Sequence, residues 1–233
     1  MSASQPSAHD LRRGDSLLST RAREAGRAIL APVVRLAVRL HLTANTVTVI
    51  GFGVVLLAAG LIGSGNLLAG AAVLTAGSLL DAVDGALARA TGGTTAFGSF
   101  LDSTLDRAAE AALFGSVAAY YLGASPNPGP PVLLALIALA GSFMVSYTRA
   151  RAEGIGLRAE VGLAQRLERL VLIIGGITLA GLGFGIGLIG ALAIIAVLSL
   201  ATTIQRIWHV HRLSSVAPVA TDDLQTRENR HRG

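Results

Sequence analysis

The chain contains no cysteine and no lysine, and it is short of charge and of aromatic rings. Without cysteine there can be no disulfide and no thiol chemistry, and zinc would lack its usual soft ligands. Charged residues make up 14% of the 233, against about 25% in an ordinary soluble domain. Apolar residues take their place: 52% of the chain is hydrophobic, with 28 glycines and only 4% aromatic residues. Mean hydropathy is +0.61. This is the composition of a polytopic helical membrane protein, all-α in class. The opening stretch MSASQPSAHDLRRGDSLLSTRAREAGR is polar and has no apolar core, which does not fit a cleavable signal peptide. Net charge is +5, but the arginines stand at the ends of apolar runs. That placement suits cytoplasmic anchoring of membrane helices and argues against nucleic acid as a partner.

Residues 1–20 and 214–233 are expected to be disordered tails flanking a single membrane domain over 21–213. Residues 21–42 alternate arginine with apolar residues at helical spacing. Arg27, Arg35 and Arg39 can share one face and leave Ile29, Leu30, Val34, Leu36 and Val38 elsewhere. This predicts an amphipathic helix in the interface, with its arginines toward anionic headgroups. Six spans follow, near 44–63, 67–90, 99–122, 132–152, 169–186 and 188–208, each long enough to cross about 30 Å of hydrocarbon. The turns GSGN, GASPNPGPP and GLGFGIG carry no charge; every Arg, Asp and Glu between 44 and 208 falls at the opposite helix ends. By the positive-inside rule those ends, and both termini, face the cytoplasm. The expected location is the cell (plasma) membrane.

Four aspartates stand where lipid or buried helix is expected. One Asp at a helix centre costs about 2.5–3.5 kcal/mol on insertion scales, so something must offset the set. Asp81 and Asp84 are three apart near the end of the second span; Asp102 and Asp106 are four apart near the start of the third. Each pair shares a helix face, and the short connection makes the two helices neighbours. Converging carboxylates repel unless cations neutralise them. Oxygen-only ligands select Mg²⁺, with Mn²⁺ as a substitute, and two such ions would bridge a pyrophosphate. Gly85 leaves room beside Asp84, Arg89 can reach a phosphate, and Thr94 and Thr95 supply hydroxyls at the same level. Gly98 permits close approach of the third span. The plainer alternative is a solvated helix end salt-bridged to Arg89 and Arg107.

The pattern Asp81-x-x-Asp84-Gly85-x-x-Ala88-Arg89, eight further residues, then Gly98-x-x-x-Asp102-x-x-x-Asp106 resembles the full signature of the CDP-alcohol phosphotransferases. The resemblance implies a six-helix membrane enzyme, often a homodimer, that takes CDP-diacylglycerol or a similar CDP-alcohol and displaces CMP with an acceptor hydroxyl. It makes Asp81, Asp84, Asp102 and Asp106 metal ligands, and Asp106 also the catalytic base. Gly85, Ala88, Arg89, Thr95 and Gly98 would lie on the CDP side. So would Ala44, Asn45, Thr46 and Val47 of LTANTVTVIG, a stretch similar to the family's cytidine-side segment with Ala44 where relatives have Pro.

The acceptor is to be sought in SYTRARAEGIGLRAEVGLAQRLERL, where Arg149, Arg151, Arg158, Arg166 and Arg169 gather at the mouth of the fourth and fifth spans. A guanidinium binds phosphate bidentately, but plain positive-inside topology would also place arginines there. Ser146-Tyr147-x-Arg149-Ala150-Arg151-Ala152-Glu153 and Arg166-x-Glu168-Arg169-Leu170 resemble the branch of the family that makes phosphatidylinositol phosphate. Relatives there have Glu-Arg-Pro-Glu-Arg where this chain has Gln165-Arg166-Leu167-Glu168-Arg169. This second resemblance implies an inositol 1-phosphate acceptor, its phosphate held by Ser146, Arg149, Arg151, Arg166 and Arg169. Glycerol 3-phosphate is the main rival acceptor, and the archaeal-lipid form of the inositol reaction another. A membrane prenyltransferase and an ion-coupled transporter are more remote: the first needs an aromatic-lined pocket, the second mid-membrane carboxylates. His41, His209, His211, Trp208, Tyr120 and Tyr121 read as interfacial residues. Gly175 and Gly176 read as close helix packing.

Overall fold

The computed structural model describes residues 32, 34–91, 95–157, 159, 161–162 and 166–216. Their regular structure is entirely helical: α1 (34–39), then α2 (Ala44–Gly63), α3 (Leu67–Thr91), α4 (Ala96–Ala124), α5 (Gly129–Gly154), α6 (Arg166–Gly181) and α7 (Gly185–Val216). The six long helices coincide with the six apolar segments. α7 continues to Val216, so 214–216 are helix where a tail was expected. The tail 1–20, residues 217–233, Arg27, Ile29, Leu30, Thr94, Arg158 and Gln165 lie outside the described residues.

Among the described residues, four helices are long and apolar enough to cross a membrane: Ala44–Gly63, Leu67–Arg89, Gly129–Gly154 and Gly185–Ser214. The other two predicted spans differ for separate reasons. α4 has 29 residues but carries Asp102, Asp106, Arg107 and Glu110 in its first half. α6 has 16, about 24 Å of helix. The exterior is apolar, with Ile186, Val197 and Leu200 each more than 60% exposed, the surface of an integral membrane protein.

Two compact units are present, Met1–Val55 with Thr75–Asp106 and Leu56–Leu74 with Arg107–Gly233; their boundary crosses α2, α3 and α4 rather than a linker. In the first, Val34 and Leu42 pack against a core of Ala37, Val47, Val83 and Leu87. Arg35 and Arg39 are exposed together, with Leu36, Val38 and Leu40 exposed beside them. α1 ends in a Schellman motif: Leu42 N–H donates to Ala37 O and His41 N–H to Val38 O, both at 3.0 Å. Leu42 then packs near Ala37, the apolar contact that usually accompanies this cap. The same bonds end α2 at Gly65, α5 at Gly156 and α6 at Gly183. Among described non-glycine residues only His41 has a positive φ, 55°. Next, Thr43 caps α2, its Oγ1 accepting from Thr46 N–H at 3.2 Å. Ala44 therefore occupies the first helical position, where the relatives' proline is equally at home.

In the second unit α7 packs against both α5 and α6. A Cβ on Gly176 would lie 2.6 Å from Ala191 Cβ and 3.2 Å from Leu188 Cα, whereas one on Gly175 would meet nothing within 4 Å. Only the second of the two adjacent glycines serves close packing. Gly176→Ala should cost about 1–3 kcal/mol through overpacking. Gly175→Ala should be neutral or slightly stabilising, since alanine is the better helix former. Thermal midpoints of the two variants in detergent check this, and equal midpoints would contradict it.

Candidate functional site

The end of α3 and the start of α4 bring Asp81, Asp102 and Asp106 together. One oxygen from each lies within 4.8 Å of the others, and all three residues are half-buried. Asp102 and Asp106 are one helical turn apart, so a single side chain from α3 can approach both. Three carboxylates this close repel unless a cation neutralises them. Their donor set is hard oxygen alone, which fits a divalent ion of the Mg²⁺, Mn²⁺ or Ca²⁺ kind.

Asp84, the fourth expected ligand, stands outside that trio. It is 7% exposed, and its Oδ2 accepts from Thr48 Oγ1 at 2.7 Å. Asp84 and Asp102 share a cleft of about 190 Å³ whose walls come from α2, α3 and the start of α4. Six of the expected CDP-side residues line it: Ala44, Asn45, Gly85, Ala88, Thr95 and Gly98. Three others are placed differently. Val47 is 4% exposed in the core beside Val83 and Leu87. Thr46 is exposed, its Oγ1 2.8 Å from Thr43 Oγ1. Arg89 is exposed and folds back over Gly85, where a Cβ would lie 3.4 Å from its Nη1. Thr48 and Ser99 line the cleft without having been foreseen; Thr48, four beyond Ala44, shares that residue's helix face, a signal that was available.

Gly98 has a local reason. Thr95 caps α4, its Oγ1 accepting from Gly98 N–H at 2.9 Å, and a Cβ on Gly98 would lie 2.8 Å from Asn45 Oδ1. A side chain there would force the Asn45 amide tip to shift. The wall formed by Thr95, Gly98 and Ser99 is a helix N-terminus, whose dipole favours an anion.

The second unit holds the arginine cluster. Arg107 donates to Ser146 Oγ, which itself donates to Ser142 O at 3.2 Å. Glu110 accepts from Arg107 at 2.7 Å and from Arg169 at 2.8 Å, and Arg169 is 4% exposed. Ser146 and Arg169 are thus joined through two residues that were not assigned to the acceptor pocket. Arg166 opens α6, half-buried. Arg149 and Arg151 are exposed, Arg149 paired with Glu153 at 2.9 Å. Arg206, also unforeseen, is buried and donates to the carbonyls of Val161 and Val145, tying the segment before α6 to α5 and α7.

Residues 41–211 match the family model described as CDP-alcohol phosphatidyltransferase. The phosphatidylinositol phosphate synthase of Streptomyces avermitilis is 39% identical over 216 residues, 89% of this chain and 88% of that protein. The crystal structure of the Mycobacterium tuberculosis phosphatidylinositol phosphate synthase with CDP-DAG bound superposes with a TM-score of 0.72 at 35% identity. It covers 78% of this chain and 94% of that one. The same enzyme in complex with manganese and citrate also gives 0.72 at 35% identity, over 78% and 88% of the two chains. A metal-suited carboxylate trio beside an anion-favouring cleft, on a chain whose residues 41–211 match the family model, has one reading: this protein is a member of the CDP-alcohol phosphatidyltransferase family.

Proposed function

We propose that this enzyme transfers the phosphatidyl group of CDP-diacylglycerol to inositol 1-phosphate, giving phosphatidylinositol phosphate and CMP. The observation that carries the proposal is the pairing of the Asp81–Asp102–Asp106 trio with a cleft that shares Asp102. A relative 39% identical over most of both chains bears that activity's name, and a similar solved structure holds the donor.

Asp81, Asp102 and Asp106 would hold the metal, Mg²⁺ in this reading, and Asp84 would contribute to a second ion. When bound, such ions offset the charge of a diphosphate and polarise the attacked phosphorus. Gly85 and Gly98 keep two cleft walls free of side chains, so the nucleotide can come close to backbone. Arg89, folded over Gly85, offers its guanidinium to a phosphate, and Thr48 fixes the Asp84 carboxylate by hydrogen bond. Ser146 and Arg169 would receive the acceptor phosphate, with Arg166 three residues before Arg169 at the head of α6. Asp106 takes the proton of the inositol hydroxyl, whose oxygen bonds to the phosphorus carrying diacylglycerol. The bond from that phosphorus to CMP breaks, and the electron pair leaves on CMP.

The same reading places all six long helices in the plasma membrane, with the site and termini in the cytoplasm, and takes the enzyme as a homodimer. The gathering of charge at one set of helix ends supports the membrane placement and orientation; the homodimer rests on the family resemblance alone.

The test is purified protein with Mg²⁺ and CDP-diacylglycerol, given inositol 1-phosphate, glycerol 3-phosphate or serine separately, with CMP as the readout. CMP should appear with the inositol phosphate. Release with glycerol 3-phosphate alone would overturn the acceptor, and no release with any would overturn the reaction.

A further inference from the structure

Glu110 lies four residues beyond Asp106 on α4, its side chain 13% exposed. Its two oxygens are taken by different guanidiniums, Oε2 by Arg107 Nη1 at 2.7 Å and Oε1 by Arg169 Nη2 at 2.8 Å. Arg107 Nη1 also donates to Ser146 Oγ. A single carboxylate therefore links α4 to α6 directly and to α5 through Arg107. Two guanidiniums that share a partner repel each other, and one as buried as Arg169 needs its counter-charge in contact. The carboxylate meets both needs, and it fixes the plane of the Arg169 fork, on which bidentate recognition of an oxyanion depends.

We infer that Glu110 is a positioning residue for the acceptor: it holds the Arg169 guanidinium in the orientation that receives the acceptor phosphate. This rests on the reading that Arg169 binds that phosphate. Glutamine cannot replace it, because an amide has one oxygen acceptor and no charge to serve two guanidiniums. Aspartate keeps the charge but, one methylene shorter, cannot reach both.

The test is a double-mutant cycle on the full chain in lipid nanodiscs, using whichever acceptor releases CMP from the wild type. Glu110→Gln should raise the acceptor KM at least tenfold while the CDP-diacylglycerol KM stays within twofold. Glu110→Asp should fall between the wild type and Glu110→Gln. On an Arg169→Ala background most of the Glu110→Gln effect should vanish, since the residue acts through Arg169. Full additivity, or a parallel rise in both KM values, would assign Glu110 a general structural role and end the inference. If Glu110→Gln fails to fold, Glu110→Asp carries the same KM split. Arg169→Ala alone separates the two levels. An unchanged acceptor KM there removes the underlying pocket reading and the inference with it. A raised one combined with additivity removes the inference only.

Discussion

Asp106→Asn is expected to lower CMP release by about a thousandfold or more and to leave the protein folded. Loss of a general base alone is worth about 10²–10⁴ in rate, and this change also takes one negative charge out of the three-carboxylate cluster proposed to hold the metal. Asparagine is nearly the same size, so packing does not suffer. It also relieves repulsion within the trio, so the thermal midpoint measured in EDTA should be equal to the wild type's or higher. Turnover within tenfold of wild type would remove Asp106 from the chemistry. A collapse of the midpoint would show that its role is structural.

Chelation should have an effect of similar size by a different route. EDTA should abolish turnover, and Mg²⁺ or Mn²⁺ should restore it. It should also lower the thermal midpoint. Two carboxylates 4.8 Å apart, the outer limit within the trio, repel by about 3 kcal/mol at an effective dielectric of about 20, less what partial solvent exposure screens. Without a cation that repulsion acts on the folded state. In Asp106→Asn one charge is gone, so the drop in midpoint caused by EDTA should be smaller. A drop of equal size in both proteins would mean that the metal acts somewhere else, and activity surviving exhaustive chelation would end the metal reading.

Most of the helices could be read in the chain because apolar runs and uncharged Gly- and Pro-rich turns alternate along it. The aspartates could be read because they are conspicuous in such surroundings. What could not be read is rotation about each helix axis. In a water-soluble helix a polar stripe reveals which side faces in. In α2, with no charged residue, hydropathy does not show that Val47 points to the core while Thr48 reaches Asp84; only the spacing of Thr48 from Ala44 hints at its face. Asp84 looks equivalent to Asp81 by spacing, and only the approach of α2 separates them. Glu110 went unassigned for a related reason: its partner Arg169 is 59 residues away, and no local pattern announces such a pair. Gly175 and Gly176 are indistinguishable on paper, yet only Gly176 faces a neighbouring helix.

The packing of α7 against both α5 and α6 has a pharmacological consequence. Ser146 and Arg169 are carried by two helices that lean on one shared rod, and Gly141 and Gly176 meet that rod with no spare volume. A hydrophobic compound wedged along α7 would spread its two supports. If Ser146 and Arg169 hold the acceptor phosphate as proposed, acceptor affinity would fall with the donor-cleft residues unchanged, giving inhibition that added nucleotide or diacylglycerol lipid would not reverse.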